Sequence, residues 1–118
     1  MRIWTTALPY PPSVNSLWRY TARGVYRTKK YKQWLDDAGA GIHEKPNFDC
    51  PVKMQIRACA PDKRRRDLDN IIKPIGDLFE HCSVITNDSL FHWIDVKWDS
   101  AVEKSSAQIV LTTMPESP

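Results

Sequence analysis

Between Pro51 and Pro61, apolar side chains take every second position: Val52, Met54, Ile56, Ala58 and Ala60 alternate with Lys53, Gln55, Arg57 and Cys59. Successive side chains on a strand point to opposite faces, so this segment predicts a strand with one face buried against a core. That face needs a cover, and two helical stripes supply one. From Thr28, a hydroxyl residue suited to an N-cap, Tyr31, Trp34, Leu35, Ala38 and Ile42 recur at three- and four-residue spacing, and the helix they predict ends before Pro46. Ile71, Ile72, Ile75, Leu78 and Phe79 make a second stripe, with Asp69, Asn70, Lys73 and Asp77 on the opposite side. Proline fits a first helical turn and disrupts a later one, so Pro74 places the N-cap near Asp69 or Asn70, with an irregular start.

The remaining segments read as strands. Arg2 to Leu8 is a short one, stopped by Pro9-Tyr10-Pro11-Pro12. Trp18–Tyr20 and Val25–Arg27 flank Thr21-Ala22-Arg23-Gly24 as a small hairpin arm. After the turn cluster Asn87-Asp88-Ser89, Ile94, Val96 and Trp98 alternate with Trp93, Asp95 and Lys97; Ala107–Thr112 makes a last strand before a frayed Pro115–Pro118. The order predicts an α+β fold over residues 1–118, a single domain with two helices packed on a small mixed or antiparallel sheet. A chain of 118 residues buries about two-thirds of its surface on folding, enough for one core without cross-links. With 42% hydrophobic and 26% charged residues it is neither disordered nor fibrous. No apolar run reaches the roughly 18 residues of a membrane span, and the amino terminus shows no secretory signal, so a cytoplasmic location is expected. Cys50, Cys59 and Cys82 cannot all pair, and neither they nor His43, His81 and His92 have zinc-ligand spacing.

The chemistry concentrates in Pro61-Asp62-Lys63-Arg64-Arg65-Arg66-Asp67-Leu68-Asp69-Asn70, where four cations run into two carboxylates. Ten aspartates give about 0.8 D-x-D pairs by chance, so the pair alone says little; four consecutive cations have a chance expectation of about 0.05. Lysine and arginine attract a polyanion, while unpaired acids among them repel it. A hard divalent cation such as Mg²⁺ or Mn²⁺ removes the conflict, because it takes carboxylate oxygens and shares its sphere with water and phosphate. An extended Asp67–Asp69 would present both carboxylates on one face with Leu68 turned to the core, and Lys73 stands one helical turn beyond Asp69. An N-cap aspartate with an ordinary surface lysine is the plain alternative. Asp88, in a turn before a strand, is a third carboxylate whose spacing does not tie it to the first two.

The stretch from Pro61 to Lys73, followed by Asp77-Leu78 and Asn87-Asp88, resembles the RusA family of Holliday-junction resolvases, and Leu8-Pro9-Tyr10-Pro11-Pro12-Ser13-Val14-Asn15 is similar to that family's opening. The resemblance implies a metal-dependent endodeoxyribonuclease with a RusA-like fold. It would act as a homodimer on four-way junction DNA in recombination and repair, in bacteria, and be encoded by phage or prophage. It implies Asp67, Asp69 and Asp88 as metal-binding and catalytic acids, with Mg²⁺ as the ion and Mn²⁺ as substitute, and Lys73 as an essential lysine. Two departures stand out. The family often has a second acid where this chain has Asn87, and a glycine and an aromatic residue where it has Ser83 to Thr86.

Lys63, Arg64, Arg65 and Arg66 are the expected contacts to DNA phosphates, with Arg19, Arg23 and Arg27 on the arm as weaker candidates. Of the five tryptophans, most are expected in the core or a dimer interface rather than stacked on bases. Phe91 or Trp93, on the second face of their strand, are the interface candidates. Two other classes stay open: a DNA-binding module without catalysis, and a protein-interaction domain whose basic run is a solvated loop.

Overall fold

The alternating segment forms one of the two inner strands of a four-stranded sheet. The computed structural model describes residues 1–115, so the predicted tail lies outside the described residues from position 116. In chain order the elements are β1 (Ile3–Pro9), β2 (Trp18–Thr21), β3 (Gly24–Arg27), α1 (Lys29–Ala40), β4 (Val52–Cys59), α2 (Ile72–His81), β5 (Phe91–Trp98) and β6 (Ser106–Thr113). Short 3-10 turns occupy Val14–Ser16, Leu68–Ile71 and Asp88–Leu90. The sheet order is β1-β6-β4-β5, and β2 with β3 makes a separate two-stranded arm. β6 is antiparallel to β1 and β4, whereas β5 runs parallel to β4. The sheet is therefore mixed, because α2 carries the chain back along its length between two strands that then point the same way. Proline ends β1 where it can, on an edge strand.

Val52, Met54, Ile56 and Ala58 are fully buried on one face of β4, under Tyr31, Trp34, Leu35 and Ala38 of α1 and Ile75, Leu78 and Phe79 of α2. Each large apolar side chain so buried contributes about 1.5–3 kcal/mol. Trp4 meets the ring of Phe79 edge-on at 5.5 Å. The helices come close at Gly39, where a Cβ would stand 3.0 Å from Cys82 Sγ. Thr28 caps α1 as predicted: its Oγ1 accepts from Tyr31 N at 3.2 Å and donates to the Ser16 carbonyl, which fastens the proline-rich loop to the helix.

Two expectations need correction. The α2 N-cap is Ile71, preceded by the 3-10 turn, so neither Asp69 nor Asn70 caps it; Pro74 becomes the third helical residue, where a missing N–H leaves no acceptor unmatched. In β5, Val52 pairs with Phe91 but Lys53 with Trp93, so His92 is bulged out. The extra residue turns Phe91 toward the core and α2, while Trp93 faces outward beside Lys53, whose ammonium lies 3.9 Å from its ring centroid. Phe91 and Trp93 therefore do not share a face, and only Trp93, 53% exposed, remains an interface candidate.

Candidate active site

The cationic run is not a free solvated loop. Asp62 gathers it: its Oδ1 accepts from Arg64 N at 2.9 Å and from Arg66 Nη1 at 2.6 Å, and its Oδ2 accepts from Arg64 Nε at 3.2 Å. These bonds, led by Arg66, hold the Asp62 carboxyl well below the usual carboxylate range. Arg66 also lies over the Tyr10 ring at 5.8 Å, so its guanidinium is largely committed to the protein, while Lys63, Arg64 and Arg65 remain exposed. A groove of about 840 Å³ runs beside this loop, lined by Tyr10, Lys30, Arg64, Arg65, Arg66 and Asp67 among others.

The backbone is extended at Asp67 and then winds into the 3-10 turn, where Asn70 N bonds the Asp67 carbonyl at 3.2 Å. Asp67 and Asp69 therefore do not share a strand face, contrary to the expectation for an extended pair. The early winding has a cause: Leu68, Ile71 and Ile72 must all turn toward the core before Pro74 can enter the helix. Both carboxylates are exposed, and among the described residues neither makes a hydrogen bond or ion pair through its side chain.

Lys73 opens α2 and points its ammonium at two acids. Its Nζ is 3.0 Å from Asp77 Oδ1 and 3.7 Å from Asp88 Oδ2. The bond to Asp77, with the nearby charges of Asp77, Asp88 and Glu80, outweighs partial burial and raises the Lys73 pKa, so the ammonium is fully charged at neutral pH. Asp88 is fixed by its backbone. α2 ends in a Schellman turn, with Val84 N on the Phe79 carbonyl at 2.9 Å, Ser83 N on the Glu80 carbonyl at 3.3 Å and Ser83 in the left-handed region at φ 61°. Val84 and Ile85 are then buried, and Phe48 bridges Ile85. Asn87 caps the following turn through Oδ1 on Ser89 N at 2.9 Å, while Asp88 N donates to Glu80 Oε2 at 3.0 Å. Asn87 thus does structurally what an aspartate there would do, and Ser83 occupies the conformation that glycine takes without strain.

The structure brings Lys73 and Asp88 together directly, while Asp67 and Asp69 lie on the turn that enters α2. It does not close the three predicted acids into a ready cage: among the described residues no group of three or more His, Cys, Asp or Glu is arranged to hold a metal ion. The donor chemistry nonetheless fits a hydrated hard cation, since all three are exposed carboxylates and two have no protein partner. Three participants escaped sequence reasoning: Asp77, Glu80 and the Tyr31 hydroxyl. Tyr31 was legible only as a core residue. Asp77 was visible as a polar position on α2 and as part of the resembling stretch, without an assigned role or partner.

The family model for endodeoxyribonuclease RusA matches residues 9–112. A crossover junction endodeoxyribonuclease of Enterobacteria phage HK97 is 34% identical over 99 residues, covering 81% of this chain and 82% of that protein. One from Aquifex aeolicus is 26% identical over 118 residues, covering 98% and 91%. One from Escherichia coli K12 is 37% identical over 81 residues, covering 65% and 67%. The matched span takes in the proline-rich opening, the basic loop with Asp67 and Asp69, α2 and Asp88, and the chain belongs to the RusA family of endodeoxyribonucleases.

Proposed function

We propose that the protein cuts four-way junction DNA by metal-dependent phosphodiester hydrolysis, making paired symmetric nicks as a homodimer in DNA recombination and repair. The observation that carries the reading is the start of α2, where a charged lysine faces Asp88 one helical turn after Asp69, with Asp67 lining an arginine-rich groove. Asp67, Asp69 and Asp88 would hold Mg²⁺, with Mn²⁺ as substitute, and the ion would supply a water of lowered pKa and neutralise phosphate charge. Lys73 stabilises the charge that develops on the phosphate oxygens. Lys63, Arg64 and Arg65 bind backbone phosphates, and Arg66, tied to Asp62 and Tyr10, shapes the loop that presents them. Phosphate contacts position DNA without reading bases, which suits recognition of a junction by shape.

One chain offers one such site, whereas resolution needs two cuts related by symmetry, and closed twofold dimers supply two identical sites. Trp93, on the sheet face that neither helix covers, is the interface candidate. The setting proposed is the cytoplasm of a bacterial host, with the gene carried by phage or prophage; no helix among the described residues is long and apolar enough to cross a membrane.

The test is incubation with a synthetic four-way junction and a matched linear duplex, with and without Mg²⁺. Selective, metal-dependent cutting of the junction is expected, lost in Asp69→Asn and Asp88→Asn with junction binding retained. Subunit-exchanged mixtures with Asp69→Asn should leave cruciform plasmid nicked rather than linear. Among the described residues the carboxylates do not close into a cage, which favours a second reading, a junction binder without catalysis, and binding without metal-dependent nicking would establish it instead.

A further inference from the structure

The pairing of Lys73 with Asp77 is not explained by the needs of its helix. α2 carries a lysine and no acid in its first turn, which the helix macrodipole disfavours, and a lysine four residues before an acid is the weaker order for a helical ion pair. The acid is also unusually confined. The Asp77 side chain is 10% exposed, and its oxygens are divided between two donors: Oδ1 accepts from Lys73 Nζ at 3.0 Å, and Oδ2 from the Tyr31 hydroxyl at 2.6 Å. Tyr31 comes from α1, 46 positions away in sequence. It has no exposed surface, and its ring packs against Trp18 and Trp34 at centroid distances of 6.1 and 6.4 Å.

The hydroxyl is thus a fixed point in the core. A carboxylate bonded to it cannot swing toward water, so the ammonium on its other oxygen loses freedom while its side chain stays 54% exposed and faces Asp88. An ordinary surface lysine has several rotatable bonds and spends little time in any one place. Here the core itself sets where the charge stands.

We propose that Asp77, oriented by the Tyr31 hydroxyl, is a positioning residue that holds the Lys73 ammonium where the reacting phosphodiester must lie. The inference rests on the reading of Lys73 as the group that neutralises phosphate charge. It concerns turnover rather than DNA affinity, because Asp77 is nearly buried and repels phosphate if it acts at all.

The experiment measures single-turnover kcat and junction Kd, with Mg²⁺, for Asp77→Asn, Tyr31→Phe, Lys73→Ala and the two double variants that include Lys73→Ala. Asp77→Asn should lower kcat about 10- to 100-fold and Tyr31→Phe about 3- to 10-fold, with Kd unchanged in both. Combined with Lys73→Ala, neither should slow the reaction further, since a residue that acts through Lys73 has nothing left to position. Without DNA or metal, NMR of the Lys73 ammonium should show a restrained side chain in the parent and a freely moving one in both variants. Parental kcat in Asp77→Asn and Tyr31→Phe with a slow Lys73→Ala overturns the positioning role alone; so does a further slowing in the double variants. Parental kcat in Lys73→Ala overturns both it and the reading beneath it. Should Asp77→Asn fail to fold, Tyr31→Phe, which loses only a hydroxyl, decides the matter.

Discussion

A wholly buried tyrosine whose hydroxyl bonds a nearly buried carboxylate has a consequence for stability as well as for the site. Desolvation, then the hydrogen bond to Asp77 and its charge, push the Tyr31 hydroxyl far above the ordinary tyrosine range. In the unfolded chain it ionises near pH 10. The protonated hydroxyl therefore favours the folded state, fully so below about pH 10, and that contribution is lost progressively as pH rises above it. One proton corresponds to a slope of up to about 1.4 kcal/mol per pH unit. Tyr31→Phe should be less stable at neutral pH but lose stability less steeply between about pH 10 and 11, as followed by urea midpoints. Parallel alkaline slopes for parent and variant would show that Tyr31 ionises freely. The aromatic stripe of α1 revealed that Tyr31 is buried, yet periodicity describes which face a residue takes and not where its terminal oxygen points. For the same reason Lys73, Asp77 and Asp88 were legible through motif resemblance, whereas the Tyr31 bond to Asp77 and the Glu80 bond to Asp88 join different elements and left no sequence signal.

The elements themselves followed their local signals wherever one residue type decides the outcome. Thr28 starts α1, prolines stop β1 and β4, and the stripe of α2 faces the core as its spacing requires. What was illegible depends on pairs. The parallel register of β5 and the bulge at His92 are properties of two strands at once, and the 3-10 entry to α2 is a compromise between Pro74 and three apolar residues. The α2 exit offers a direct test. Ser83 adopts a left-handed backbone that costs a residue with a Cβ about 1–2 kcal/mol, and the Schellman bonds hold it there. Ser83→Gly should stabilise the protein by about 1 kcal/mol, partly offset by glycine's greater freedom when unfolded, seen as a higher urea midpoint with unchanged m. Asp88 is fixed by its own N–H bond to Glu80 and by the Asn87 cap, and should keep its place, so junction cleavage is expected to stay at the parental rate. A lowered midpoint would mean that the Ser83 side chain contributes something its backbone does not disclose.

For the molecule as a whole, accessible surface is 7584 Å², against roughly 6,600 Å² for a chain of this mass, and Ile3, Tyr20, Val25, Tyr26, Trp93, Ile94 and Trp98 are among its exposed large apolar side chains. The sheet also joins distant parts of the chain: β1 pairs along its whole length with β6, from Ile3 opposite Thr112 to Pro9 opposite Ser106. β6 lies between β1 and β4, so until it is in place the opening strand has no neighbour in the sheet. During synthesis the acidic and basic residues around α2 would leave the ribosome well before the strand that completes the sheet beneath them. The sheet that supports the site should therefore be complete only once β6 has cleared the ribosome. Chains arrested before Ser106 should show no protected core in hydrogen exchange and no junction binding, and arrest after Thr113 has cleared the ribosome should restore both; a protected β4–α2–β5 unit in the shorter chain would show that the sheet does not wait for its last strand.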